Sequence, residues 1–470
     1  MRGRMSTARL PDIFKAYDIR GLYGEQIDGE LAERIGRAFG VVLAGLAGKE
    51  IGELRVGVGR DMRLSAPELA GRYREGLLSV GVDVLDIGQV GSEMLYWLVG
   101  SRGLDGGLMC TASHNPKAYT GAKLVREGAL ALSGDSGIGD IQRVIERGGA
   151  EPGTSTGPRG SLEETDIYEE FQQAALAFID AEALAASPRR LKVVLDGGNG
   201  MAGPMVGPLL ERFESLDLIE TYWTPDGAFP DHEPNPLLPE NRELIIAKVC
   251  ETGADLGIAW DGDGDRCFFI DDTGAFVDGD FLTALLAESL LVKSPGQAIL
   301  YDVRASRAVA DTVERAGGTA HINRVGHAFF KSRMRKEGSL FGGEVSGHYY
   351  FRDFYCADSG TIPALLVLEL LAAGGKRMSE LLAPYHSRYF ISGEVNSEVS
   401  DAPAKMEEIA ARYSDARQGR LDGISIDYED WHFNLRSSNT EPLLRLCLES
   451  LRSREDMEQR RDEVLAVIRS

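Results

Sequence analysis

Cysteine is scarce in this chain: Cys110, Cys250, Cys267, Cys356 and Cys447 stand far apart, and no two form a Cys-x-x-Cys pair. That spacing argues against a disulfide framework and a cysteine-based zinc site, and it fits a reducing cytoplasm. Long apolar runs are also missing. None approaches the roughly 18 to 20 residues that span a bilayer, which excludes a membrane protein, and no membrane partner is expected. Residues 1–9 are positively charged but run into Leu10-Pro11-Asp12 without the apolar core of a secretory signal, so they read as a short frayed lead. Basic residues are in the minority, 51 against 73 acidic, for a formal net charge of -22. Such a surface repels polyanions, which argues against nucleic acid as a partner. An anionic substrate would need its basic ligands concentrated in one place.

What the chain has is length and a repeated grammar. Its 470 residues exceed what one hydrophobic core organises and point to three or four domains. A β-rich run at Leu54-Arg55-Val56-Gly57-Val58-Gly59-Arg60-Asp61 precedes an amphipathic stretch over 67–80, a strand then a helix. The same grammar returns at 191–200 and at 297–304. Each unit continues with a second strand (82–87, 216–223, 319–324) and a third (106–110, 254–260, 339–341), and each third strand runs into an unusual polar loop. In α/β sheets ligands gather at the carboxyl ends of strands, so three such ends can converge on one cleft. Composition shifts at 148–160, before Asp261 and at 372–376 divide the chain into 1–155, 156–260, 261–375 and 376–470. The last segment lacks the repeat; it mixes strand-like runs such as 423–428 with a charged final helix over 453–468, and reads as α+β.

Four loops carry chemistry. Thr111-Ala112-Ser113-His114-Asn115-Pro116 sets a hydroxyl beside a histidine, an amide and a proline-fixed turn, making Ser113 a candidate nucleophile or phosphate carrier. A Ser-turn that bonds only local backbone accounts for the same residues. Asp261-Gly262-Asp263-Gly264-Asp265-Arg266 places three carboxylates at alternate positions, a pattern for a hard divalent cation. An EF-hand would need Gly where Arg266 stands and would follow a helix rather than a strand. Gly342-Gly343-Glu344-Val345-Ser346-Gly347-His348 presents Glu344 and Ser346 on one side of an extended segment, where they suit sugar hydroxyls; a simple β-turn explains it as well. Arg436-Ser437-Ser438-Asn439-Thr440-Glu441-Pro442 offers a guanidinium, hydroxyls and an amide in one turn, suited to phosphate or to a helix cap.

In this order the four loops resemble the α-D-phosphohexomutase family nearly end to end. The opening Phe14-Lys15-Ala16-Tyr17-Asp18-Ile19-Arg20-Gly21 and the 323–327 and 343–353 segments are similar to its bacterial phosphomannomutase members. The resemblance implies three related mixed α/β domains around a central cleft and a C-terminal α+β domain like the TATA-binding protein. It implies that Ser113 carries a phosphoryl group and that Asp261, Asp263 and Asp265, with a phosphoserine oxygen of Ser113, hold Mg²⁺. Tyr17, Arg266, Arg304, Glu344, Ser346, His348, Arg436, Ser438, Asn439 and Thr440 would bind a hexose phosphate. Arg20 would offset charge, and Lys123 would be the general base, assisted by His114 and His327. A desolvated lysine beside other cations would have the lowered pKa this needs. A hexose 1,6-bisphosphate would serve as intermediate and activator, and the protein would be a monomer or homodimer. The implied activity is mannose 6-phosphate to mannose 1-phosphate isomerisation, with phosphoglucomutase or dual specificity as the near alternative. A noncatalytic sugar-phosphate or metal-binding protein, or a phosphatase, is an alternative of another class. Three departures from the family stand out: Thr120 for Asn, Arg304 for Lys, and Gly91-Ser92-Glu93 for a Pro-Thr-Pro-like turn.

Overall fold

The computed structural model describes residues 10–150, 157–437 and 443–470. The chain divides into two compact units, Met1–Phe276 with His348–Gly375, and Val277–Gly347 with Lys376–Ser470. In the first unit a seven-stranded sheet runs Ile19–Leu22, Tyr119–Arg126, Gly106–Cys110, Arg55–Arg60, Asp83–Gln89, Leu162–Glu164, with Leu130–Ala131 added on Tyr119–Arg126. Its other sheet has four strands in the order Cys267–Ile270, Leu256–Trp260, Leu191–Asp196, Leu216–Thr221. In the second unit Ala298–Asp302 pairs in parallel with Thr319–Asn323 and Phe341–Gly343. That unit also holds an antiparallel sheet ordered Phe390–Glu398, Leu443–Ser450, Trp431–Ser437, Ile424–Asp427, Arg417–Gly419.

The threefold grammar is a threefold topology. In each repeat the first strand lies between the second and third, and both pairings are parallel. Parallel sheets need both faces covered, and the third strands Gly106–Cys110 and Leu256–Trp260 are buried at every residue. Helices Gly29–Ala47 and Ala66–Ser79 cover the first sheet, contributing Ile35, Phe39, Leu69, Tyr73 and Leu77 to its core. The final helix, Arg454–Ile468, is capped by the Ser453 hydroxyl, which accepts from the Asp456 N–H at 3.1 Å, and packs Met457, Val464 and Leu465 into the core of the antiparallel sheet.

Helix ends explain where the expected strands differ. The third strand of the second repeat starts at Leu256 rather than 254, because the Ala254 N–H closes the preceding helix on the Val249 carbonyl. The third strand of the last repeat is Phe341–Gly343 rather than 339–341, because the Ser339 N–H is bound to the Met334 carbonyl. The strand expected over 216–223 stops at Thr221, where Tyr222 turns into the left-handed region at φ 47°. Among the described residues no helix is long and apolar enough to cross a membrane.

Candidate active site

Two of the three polar loops meet in the first unit. Gly106–Cys110 ends in the serine loop and Leu256–Trp260 in the aspartate loop. Ser113 sits in the left-handed region at φ 49°, a conformation that strains any residue with a Cβ. Its N–H donates to Thr111 Oγ1 at 2.9 Å, its Oγ donates to Asp261 Oδ2 at 2.8 Å, and His114 Nδ1 lies 3.2 Å from that Oγ. Gly262 permits this approach, since a Cβ there would stand 2.7 Å from the Ser113 carbonyl oxygen.

The serine loop is held from behind by Arg63, a residue the sequence reading passed over. Its guanidinium donates to the carbonyls of Ser113 (2.7 Å), Asn115 (2.6 Å), Pro116 (2.9 Å) and Tyr119 (3.1 Å), and it lies over the Phe229 ring. Asp61 accepts the Arg63 N–H at 2.9 Å and faces its Nε at 3.3 Å. A signal for this was available. Asp61-Met62-Arg63 stands at the carboxyl end of the first strand of its repeat as Asp302-Val303-Arg304 does in the third, and Asp302 accepts the Arg304 N–H in the same way at 2.8 Å.

In the aspartate loop, Asp261, Asp263 and Asp265 are buried and offer carboxylate oxygens all within 4.8 Å of one another. Lys123 Nζ stands between two of them, 2.6 Å from Asp263 Oδ2 and in contact with Asp265 Oδ2. Asp263 Oδ1 and Asp265 Oδ1 are buried with no hydrogen-bond partner among the described residues. Two free oxygens in a buried three-carboxylate cluster fit a small, hard divalent cation. Burial and the Asp263 charge push the Asp265 carboxyl up, while at Asp263 the effect of burial is outweighed by Lys123 and the Ser92 hydroxyl, which hold it low. The Lys123 pKa is raised, not lowered as the sequence led one to expect. Burial does act to lower it, but the carboxylates of Asp263 and Asp265 outweigh burial, and the Lys123 pKa rises.

Other expected residues divide between the units. In the first, the Arg20 guanidinium donates to Asn115 Oδ1 at 2.6 Å and pairs with Asp18, while Tyr17 is half-buried nearby in sequence. Arg266 donates through Nε to Asp261 Oδ2 at 2.9 Å, and His348 Nδ1 lies 3.0 Å from Asp358 Oδ2. Burial, then the charges of Arg266 and Arg20, keep the His114 imidazole well below its ordinary pKa. In the second unit Glu344 accepts the Gly326 N–H at 2.7 Å, Ser346 is half-buried two residues on, and His327 opens the helix His327–Glu337. Arg304 forks onto Asp302 at 3.0 and 2.8 Å and approaches Glu394 at 3.5 Å. Arg436 lies directly across the strands from Arg445, whose guanidinium pairs with Glu394 at 3.0 Å. Like charges opposed in a sheet repel, and the Nε atoms of both are buried without a partner among the described residues, an arrangement that suits an anion. Ser438, Asn439 and Thr440 lie outside the described residues.

Four family models match the chain in sequence order: phosphoglucomutase/phosphomannomutase α/β/α domain I over residues 11–150, domain II over 169–274, domain III over 278–389, and the C-terminal domain over 394–467. The chain belongs to the phosphoglucomutase/phosphomannomutase family. It is therefore an enzyme of the phosphohexomutase type, an isomerase that moves a phosphoryl group. Within the family it is similar to a phosphomannomutase of Salmonella montevideo, 43% identical over 463 residues that cover 97% of this chain and 99% of the relative. It is likewise similar to a phosphomannomutase of Escherichia coli (strain K12), 44% identical over 443 residues, 93% of this chain and 94% of the relative. Among solved structures, a phosphoglucomutase/phosphomannomutase family protein from Burkholderia thailandensis superposes with a TM-score of 0.86 at 33% identity, covering 97% of this chain and 96% of that one.

Proposed function

We propose that this family member is a phosphomannomutase that interconverts mannose 6-phosphate and mannose 1-phosphate through a phosphoserine at Ser113. The observation that carries the reading is the Ser113 hydroxyl 2.8 Å from Asp261, beside a buried carboxylate cluster with two unpartnered oxygens. Phosphoserine 113 passes its phosphoryl group to the free hydroxyl of a hexose monophosphate. The bond from Oγ to phosphorus breaks, a bond from the sugar oxygen to phosphorus forms, and the hydroxyl proton leaves to a base. The hexose 1,6-bisphosphate so formed returns its other phosphoryl group to Ser113, and the isomeric monophosphate departs.

Asp261, Asp263 and Asp265, with a phosphoserine oxygen, would hold Mg²⁺, which supplies charge to offset the transferring phosphoryl group. Lys123 is proposed to take the hydroxyl proton, assisted by His114 and His327, which it could do only once a cation at Asp263 and Asp265 takes up the carboxylate charge that otherwise holds it protonated; Arg20 fixes the serine loop through Asn115. Glu344, Ser346 and His348 are assigned to sugar hydroxyls, and Arg304, Arg436, Ser438, Asn439 and Thr440 to the phosphate that is not reacting, with Tyr17 and Arg266 completing the substrate contacts. The mannose preference rests on the similarity to phosphomannomutases at 43 and 44% identity. The measurement that tests it is kcat/KM for mannose 1-phosphate against glucose 1-phosphate, with Mg²⁺ and a trace of hexose 1,6-bisphosphate. The expected ratio is well above one; a ratio near one makes the enzyme dual-specific, and a ratio well below one makes it a phosphoglucomutase.

A further inference from the structure

The turn Gly91-Ser92-Glu93, where this chain departs from the pattern it otherwise resembles, has an unexplained density of contacts. Ser92 opens the helix Ser92–Ser101 and is fully buried, yet neither its hydroxyl nor its N–H serves that helix. Both are given to one residue 171 positions away: the N–H donates to the Asp263 carbonyl at 3.0 Å, and the Oγ donates to Asp263 Oδ2. Asp263 is thus gripped by backbone and side chain together. Its Oδ2 also faces Lys123 Nζ at 2.6 Å, so that oxygen is fully occupied and Oδ1 is the one left free.

Residues on either side hold Ser92 in place. A Cβ on Gly91 would stand 2.8 Å from the Asp263 carbonyl oxygen and 2.1 Å from Met205 Sδ, so the turn can lie against the aspartate loop only as glycine. Glu93 is fully buried and accepts from the Thr361 hydroxyl at 2.6 Å, the Thr361 N–H at 3.2 Å and the Ser359 hydroxyl. Ser92 is therefore a hydroxyl on a stiff mount aimed at one carboxylate oxygen. Asp263 has two chemically equivalent oxygens, and what makes them different is which one receives the hydroxyl and the ammonium.

We infer that Ser92 is a positioning residue for the cation site, one that fixes the rotation of the Asp263 carboxylate so that Oδ1 is presented, pre-oriented, to a divalent cation. The inference rests on the proposed metal role of the aspartate loop. Without the hydroxyl, Asp263 keeps its backbone tether but turns more freely about its side-chain torsions, and binding the cation must then also order the carboxylate.

The test is direct binding of Mn²⁺ to the full-length protein without substrate, read by electron paramagnetic resonance, with the thermal midpoint of the metal-free protein as a folding control. Ser92→Ala is expected to raise the Mn²⁺ Kd by about tenfold, the scale of one hydrogen bond to a charged group, with a midpoint near that of the native chain. Ser92→Thr keeps the hydroxyl and is expected to restore the native Kd. Ser92→Cys keeps the volume with a weaker donor, so it is expected to fold even if the alanine variant does not, and to bind less tightly than the native chain. Native affinity in Ser92→Cys or Ser92→Ala overturns the inference. If the native chain itself binds no Mn²⁺, the metal reading of the aspartate loop falls, and the inference falls with it.

Discussion

At the scale of single residues, the site is built from groups that act on each other's backbone as much as on each other's charge. Arg63 is the clearest case: four carbonyls of the serine loop converge on one buried guanidinium. Lysine keeps the charge but brings a point ammonium that cannot fork across four acceptors. Arg63→Lys is expected to lower kcat at least about tenfold, because each carbonyl left without a donor costs about 1–3 kcal/mol of loop order. Steady-state kinetics should show KM for the hexose phosphate close to native; a kcat within twofold of native would refute the clamp. The three aspartates stood out in the sequence because closely spaced carboxylates repel one another without a cation, and the structure brings Ser113 to them. Arg63 did not stand out, because the carbonyls it binds leave no mark in a sequence, and only its repeat of the Asp302-Val303-Arg304 pattern gave it away. The sign of the Lys123 shift was illegible for a related reason. Spacing places cations and carboxylates in the same site, but only coordinates show that the carboxylates are the nearer neighbours.

At the scale of elements, strands hidden on both faces announce themselves as unbroken apolar runs, and Gly106–Cys110 begins and ends where the sequence places it. Strand ends adjoining helices were misplaced by two residues, because closing hydrogen bonds such as Ala254 to Val249 decide them, and any residue type can donate those. The helix Gly279–Lys293 carries a feature no pattern reveals. Asp280 in its first turn is buried and accepts the Ser306 N–H at 2.6 Å. Burial, then the neighbouring Asp278 charge, pushes its carboxyl up from 3.8 to about 8. A folded pKa above the unfolded one means the folded protein holds a proton that the unfolded chain releases. That stability is present in full below about pH 4 and is lost as pH rises through about 8. Asp280→Asn keeps the acceptor oxygen and removes the titration. Its Tm is expected to match the native value near about pH 4 and to exceed it by several degrees near about pH 9, as calorimetry across that range would record. A parallel pair of Tm curves would rule this out.

At the scale of the whole molecule, the sequence conveyed three related units and a different fourth, and the family models match in that order. What it did not convey is that compactness and ancestry divide the chain differently. The domain III model spans 278–389, yet His348–Gly375 groups with the first unit. There the helix Thr361–Gly374 is buried along almost its whole length, with the Trp260 indole N–H bonded to the Gly360 carbonyl at 3.0 Å and the Asp180 N–H to Glu369 at 2.6 Å. A gene cut at the limits of the domain III match would therefore yield neither a soluble domain III nor a sound remainder. Residues 1–276 made alone are expected to aggregate, and co-expression with a separate 348–375 peptide is expected to rescue them into the soluble fraction, as sedimentation of the lysates would show. Recombination at the limits of the domain III match would break the first unit, since the segment that ends one matched module packs within another.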